Sequence, residues 1–321
     1  MAYPKKTGRS GKIGSRAGSR PAANEMRGVP FSKAIRPKLD RDDEEFDEEW
    51  STGADAAGGS RGRGKGATRD DGIDKNEVKV AGVHACHAVF NKRPTSIIRA
   101  YVTDERMKEF SQMLSWCAKE RKAYHVVIAE DLDKIAGTVH HEGVCLLTKR
   151  PPTPPAAELV KELVKQKGPQ CLIVLEAIHN PHNLGAFMRV AAHFGATAIL
   201  AGGLASKGLT AAAYRTAEGG AESVPLAVMT SLKDVLAELR AAGFAVLATS
   251  GRSEHGLYQG ELPRRCAILF GAEREGLSPN AMKHADKVLK IPGTGAVESL
   301  NLSCAGATVL GEWRRQFPFK S

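Results

Sequence analysis

From residue 169 to 318 this 321-residue chain predicts an α/β fold with a mostly parallel sheet. Three observations carry that reading. Short apolar runs alternate with segments of helical periodicity, the pattern of strands and crossover helices. The runs are almost wholly apolar, as strands covered on both faces require. The last of them passes through a glycine-rich turn into a final helix, Leu300 to Gln316.

The strands of this half are expected at 171–175, 198–201, 224–228, 245–248, 266–270 and 287–291, and the helices near 184–195, 209–218, 231–242, 278–284 and 300–316. In such sheets ligands bind at the carboxyl ends of the strands. No G-x-G-x-x-G follows the first strand and no P-loop occurs. A dinucleotide or phosphate-cradling site is therefore poorly supported, which weighs against a nucleotide-dependent metabolic enzyme.

The first half reads in three pieces. Residues 1–76 form a disordered charged tail, because few apolar residues and blocky charge cannot offset the entropy of folding. Arg61-Gly-Arg-Gly-Lys65 within it reads equally as an RNA-tracking arm or as a solvated linker. Residues 77–150 then form a small α/β unit, with strands at 78–81, 96–102, 124–128 and 143–147 and helices between them. Asp104 is expected to N-cap the helix that carries Met107, Phe110, Met113, Leu114 and Cys117 on one face. His140 and His141 precede the last strand and read as solvated turn residues, not as metal ligands. Four prolines in residues 151–155 make a stiff extended spacer, and a lead-in helix at 156–167 completes a connecting segment over 151–168.

Composition bounds the partners. The net charge is +10. The tail holds 16 Lys and Arg against 13 Asp and Glu, so the remainder keeps 30 against 23 and is itself basic. A basic protein invites a polyanion, most often nucleic acid. The six cysteines form no C-x-x-C pair and read as reduced core residues, with neither a disulfide framework nor a zinc site. No apolar stretch reaches 18 residues and no secretory signal opens the chain, so a cytoplasmic protein with no membrane partner is expected.

Three constellations carry chemistry. The first, Leu175 to Gly195, is a strand end, a polar turn and a helix start. Asn183 stands where it could cap that helix. Arg189 follows six residues on, about 9 Å along a helix, close enough for one site through a long side chain. Among Phe187, Met188, Val190 and Ala191, Arg189 must be paired or face a cleft. The second is Phe270-Gly-Ala-Glu-Arg-Glu-Gly-Leu-Ser278, whose Glu273 is a candidate partner for Arg189. The third is Ile291 to Gly306, where Pro292, Gly293 and Gly295 expose backbone groups and Ser299 and Asn301 flank apolar Leu300. That combination suits a ligand with an apolar body and polar edges.

In this order the motifs resemble one family. Asn-Pro-His-Asn-Leu-Gly-x-x-x-Arg at 180–189, Phe-Gly-x-Glu-x-x-Gly-Leu at 270–277 and Gly-x-x-x-Ser-Leu-Asn-Leu-Ser at 295–303 are similar to the SpoU (TrmH-like) RNA ribose 2′-O-methyltransferases of the SPOUT superfamily. Residues 77–150, with His-His-x-Gly-Val at 140–144, resemble the family's L30e-like RNA substrate-binding domain. The resemblance implies a SPOUT domain over 169–318 with a deep trefoil knot. It also implies a homodimer and a structured tRNA or rRNA substrate, while the cysteine and histidine spacing gives no metal site. S-adenosylmethionine would meet Thr249, Gly271, Ile291 and Leu300. Asn183, Arg189, Glu273, Ser299 and Asn301 occupy the family's catalytic positions. The chain departs from the family at Glu176, where Asp is usual, and at Gly293, where an apolar residue is usual. The alternative on the same fold is a non-catalytic RNA-binding or ribosome-assembly factor.

Overall fold

β5 (Gln170–Leu175) is buried along its whole length, and its pleat divides the large core in two. Cys171, Ile173 and Leu175 point into one apolar cluster, Leu172 and Val174 into another. Successive strand residues face opposite sides, so a strand buried twice over must be apolar throughout. β9 (Arg265–Phe270) alternates the same way beside it. The computed structural model describes residues 74–272 and 275–319, the side chains of Leu204 and Lys207 excepted. The expected tail over 1–76 thus lies outside the described residues up to 73. The next three form a turn in which Asp74 accepts from the Asn76 amide.

The large sheet has the order β10-β8-β9-β5-β6-β7, with β6 at Ala198–Ala201, β7 at Leu226–Val228, β8 at Ala245–Thr249 and β10 at Lys287–Leu289. Every neighbouring pair is parallel. Helices α5 (Pro181–Phe194), α6 (Ala211–Ala217) and α9 (Leu302–Gln316) pack on one face. α4 (Ala156–Val164), α7 (Leu232–Ala241) and α8 (Pro279–Lys283) pack on the other.

The smaller sheet, β1-β4-β2-β3, joins β1 (Glu77–Ala81), β4 (Val144–Lys149), β2 (Ile97–Val102) and β3 (Ala123–Val126). Only β2 and β3 are parallel. α1 (Val83–Lys92) and α2 (Ser111–Lys119) cover one face, and α3 (Ala129–Ala136) covers the other.

The apolar cluster under α1 and α2 runs on without a break into the one under α5, α6 and α9. One polar contact locks this junction. Arg93, after α1, gives its Nε and Nη2 to the Glu222 carboxylate at 2.8–3.0 Å, with side-chain exposures of 15% and 8%. Removing one partner of a buried pair strands the other charge. Glu222→Ala is expected to lower the unfolding free energy by about 3–5 kcal/mol in a denaturant titration.

Several local expectations need correction. Asp104 caps no α-helix: residues 104–106 make a single tight turn, and α2 begins only at Ser111, which leaves Met107 exposed. His141 is not solvated. It is buried, its Nε2 lies 2.9 Å from Asp133 Oδ1, and its Nδ1 accepts from the Gly143 amide. The Pro-rich segment is no free spacer, because Pro154 O accepts from the Val228 amide and fixes it along β7. Cys304 is exposed, whereas the other five cysteines are buried and all six are free thiols.

Candidate functional site

The parallel strands β8, β9 and β10 end on one edge of the sheet, and a cavity of about 1040 Å³ opens there. Thr249 to Arg252 leave β8, Phe270 to Ala272 leave β9, and Ile291 to Gly295 follow β10. Ser299, Leu300, Leu302 and Ala305 close it from the start of α9. Its size is that of a small-ligand site. Apolar Phe270, Leu289, Ile291 and Leu302 stand against glycine-rich backbone at residues 251, 271, 276, 293 and 295.

Gly271 is fixed by packing. A Cβ there would sit 2.0 Å from Gly276 C and 2.3 Å from Leu277 N. The chain doubles back at this point, with the Gly276 amide donating to Ala272 O at 2.8 Å. Gly293 differs: nothing lies within 4 Å of an added Cβ and its φ is not positive, so sterics do not demand glycine there. Thr249 hydroxyl donates to Leu269 O at 3.0 Å and ties β8 to β9 at the rim.

The loop after β8 runs alongside the strand that leads to α9. The Leu257 amide donates to Lys290 O at 2.7 Å, the Lys290 amide to His255 O at 2.8 Å, and Ser253 Oγ to Val288 O at 2.8 Å. α9 holds the loop's far end. Gln316 accepts from the Leu262 amide at 2.7 Å and donates to Gly260 O, and Trp313 Nε1 donates to Pro263 O. Buried Glu312 orients Gln316 at 2.6 Å.

Hydrogen bonds from Arg315 and then Gln316 hold the Glu312 carboxyl down at about 2. A depressed carboxyl contributes stability above its unfolded value, near 4.5, and loses it as pH falls toward 2. Glu312→Gln is therefore expected to flatten the acid limb of the stability curve between those values, measured by urea unfolding at stepped pH.

The three motifs meet through apolar contacts. Phe187 of α5 packs edge-on against Phe270 at 5.1 Å, and Gly306 of α9 faces the same ring, where a Cβ would come within 2.6 Å. Glu176, after β5, accepts from the Ser278 amide at 2.9 Å and hydroxyl at 2.7 Å, which fixes the start of α8. The longer Glu at this position thus has a structural partner.

The candidate polar residues are placed differently. Ser299 lines the cavity together with Thr249, Gly271, Ile291 and Leu300. Asn183, Arg189 and Asn301 are not among its lining residues. The N-cap of α5 is Asn180, whose side chain accepts from the His182 amide at 2.8 Å, and not Asn183. Asn183 and Arg189 project about 120° apart around α5, because six residues advance 600° at 3.6 per turn. Phe187 and Arg189 lie on nearly opposite faces, so the arginine points away from the pocket that Phe187 backs.

Arg189 Nη1 instead meets Glu218 Oε1 at 2.7 Å, with both side chains substantially exposed. Its partner is thus Glu218, while Glu273 lies outside the described residues. The last helix begins at Leu302, not Leu300, and Asn301 is its N-cap, accepting from the Ser303 amide at 2.9 Å and hydroxyl at 2.6 Å. Leu300 is left half exposed at the cavity mouth. Among the described residues no cluster of three or more His, Cys, Asp or Glu could hold a metal. No described helix is long and apolar enough to cross a membrane.

A parallel α/β sheet with a glycine-walled pocket at its strand ends, joined to a small mixed-sheet lobe, is an architecture shared with known proteins. Residues 170–311 match the SpoU rRNA Methylase family, and residues 79–154 match the family described as RNA 2′-O ribose methyltransferase substrate binding. An uncharacterized tRNA/rRNA methyltransferase, YfiF, of Escherichia coli O157:H7 is 37% identical over 96% of this chain and 89% of its own. The 23S rRNA (guanosine-2′-O-)-methyltransferase RlmB of Neisseria meningitidis is 33% identical over 77% of this chain and 98% of its own. The solved SpoU methyltransferase AviRb of Streptomyces viridochromogenes, in complex with AdoMet, shares the fold. Its TM-score is 0.64 at 20% identity, over 78% of this chain and 94% of that one. The chain belongs to the SpoU family of RNA 2′-O-ribose methyltransferases, which use S-adenosylmethionine.

Proposed function

We propose that this protein methylates a ribose 2′-hydroxyl in structured tRNA or rRNA, with S-adenosylmethionine held in the cavity at the ends of β8, β9 and β10. The observation that carries the reading is the cavity itself. Glycine-rich backbone at residues 251, 271, 293 and 295 beside apolar Ile291 and Leu300 fits a ligand with an adenosine body and a charged tail. When bound, S-adenosylmethionine supplies a methyl group already activated on a sulfonium.

The chain's own task is to orient a weakly acidic hydroxyl and to stabilise the charge that develops as its proton leaves. Arg189 clamps the phosphate beside the target ribose and faces the developing alkoxide. Its guanidinium does not serve as the base, because it stays protonated in proteins. Ser299, Asn183 and Asn301 orient the hydroxyl and the guanidinium. Glu273 is proposed in the same polar set, and Glu218 is the side chain that holds the Arg189 fork. Positioning of this kind supplies much of the rate in a transfer between two bound partners.

Arg189 faces away from the pocket of its own chain, so a second copy must bring it to the reaction. The proposed assembly is a homodimer in which each Arg189 serves its partner's cavity. Residues 292–301, ten exposed positions that include Val297 and Leu300, offer apolar surface at the mouth for that copy to cover. The proposed chain path is a trefoil knot, α9 passing inside the loop 250–263. Its support is the set of bonds from Gln316 and Trp313 to that loop. The smaller lobe, over 77–150, would present the RNA, in a cytoplasmic setting.

Methyl transfer from labelled S-adenosylmethionine to total RNA of a strain lacking the gene tests the reading. Ribose-methylation mapping should show one site restored by the added protein. Binding of RNA without transfer would favour the assembly-factor alternative.

A further inference from the structure

A second cleft, of about 330 Å³, lies between the two lobes and has no part in the cofactor site. The start of α1 gives His84, the turn before β4 gives Val139, His140 and Glu142, and the end of α6 gives Arg215 and Glu218. At the low end of ligand-pocket volumes, it has room for one nucleotide and not for several.

Its charges are not balanced as a simple count suggests. Glu142 Oε2 already accepts from the Val83 amide at 2.8 Å, and Glu218 is held by Arg189 at 2.7 Å. Arg215 has no carboxylate partner among the described residues and gives one Nη to Thr138 Oγ1 at 2.5 Å. The cleft therefore keeps an available guanidinium beside two exposed imidazoles. Val139, 69% exposed and outside the core clusters, adds an apolar wall.

Backbone strain gathers here as well. Only four described non-glycine residues have positive φ, and two of them, Glu142 at 53° and Glu218 at 45°, line this cleft. Such conformations cost a non-glycine residue about 1–3 kcal/mol, and that of Glu218 also ends α6 as its left-handed C-cap. Glu218 also places the cleft directly next to Arg189.

We propose that this cleft receives one unpaired nucleotide of the RNA chain next to the methylated one, its phosphate on Arg215 and its base against Val139 and His140. Single-stranded bases are read by stacking and by side chains of this kind, and arginine suits the phosphate. The inference rests on the RNA-methyltransferase reading above.

Fluorescence anisotropy of the full chain with a labelled RNA hairpin carrying an unpaired loop, and with a fully paired duplex of the same length, tests it. Wild type should prefer the hairpin. Arg215→Ala and Val139→Asp should each weaken hairpin binding about tenfold, and Arg215→Ala should reduce the salt slope by about 1. Val139 is mostly exposed and belongs to no core cluster, so its variant separates loss of the subsite from loss of folding. S-adenosylmethionine affinity should be retained in both. Hairpin affinities of both variants within about twofold of wild type, or no wild-type preference for the hairpin, would overturn the assignment. If wild type still methylates total RNA from the deletion strain in that event, only the cleft assignment falls. If wild type neither binds S-adenosylmethionine nor methylates, the functional reading falls and takes the cleft with it.

Discussion

Gly271→Ala is expected to cut methyl transfer by about 100-fold. The added carbon would lie 2.0 Å from Gly276 C and 2.1 Å from Gly276 O, both backbone atoms that no rotamer change can clear. The turn from β9 into residue 272 must therefore open, and the pocket wall moves with it. Displacement of about 1 Å in a positioned site costs on the order of 100-fold in rate. Overpacking adds about 1–3 kcal/mol of destabilisation. Because the clash is confined to the turn that follows β9, the protein should still fold, with a lower unfolding midpoint and weakened cofactor binding. Steady-state transfer, calorimetry and thermal unfolding on the same preparation would separate these effects.

Arg189→Ala is expected to fail differently. Arg189 does not line the cofactor cavity and pairs with Glu218 on the exposed side of α5. Its loss removes a charge from the RNA side of the reaction, so kcat should fall about 100- to 1,000-fold while cofactor affinity stays near wild type. An exposed ion pair contributes roughly 0–1 kcal/mol, so stability should barely change. Arg189→Lys should recover little, since an ammonium lacks the planar fork. Equal loss of transfer and cofactor binding would mean that Arg189 has been assigned the wrong role.

The two variants also show what a sequence conveys and what it withholds. The strands of the large sheet were legible because burial on both faces leaves little but apolar residues, as in Cys171 to Leu175. The glycine turns were legible because close backbone approach excludes a side chain, as at Gly271. Helix starts were harder. Asn180 and Asn183 are both good caps, and proline at position 181 fits the first turn that Asn180 begins.

Facing was hardest. Spacing places Asn183 and Arg189 along one helix, but 3.6 residues per turn sends them to different sides, and only the packing of Phe187 shows which side is inner. Partners distant in sequence left no local signal: Glu176 with Ser278, Arg93 with Glu222, Arg189 with Glu218, Gln316 with Leu262. His141 misled because adjacent histidines in a turn look solvated, whereas Asp133 and the Gly143 amide satisfy its ring in the interior.

The central claim is that the cavity between β8, β9 and β10 is an S-adenosylmethionine site, separable from the RNA-facing arginine. Calorimetric titration of S-adenosylmethionine into wild type, Gly271→Ala and Arg189→Ala tests it most directly. One site per chain is expected in wild type, with affinity kept in Arg189→Ala and weakened in Gly271→Ala. No heat of binding in wild type, or undiminished binding in Gly271→Ala, would contradict it.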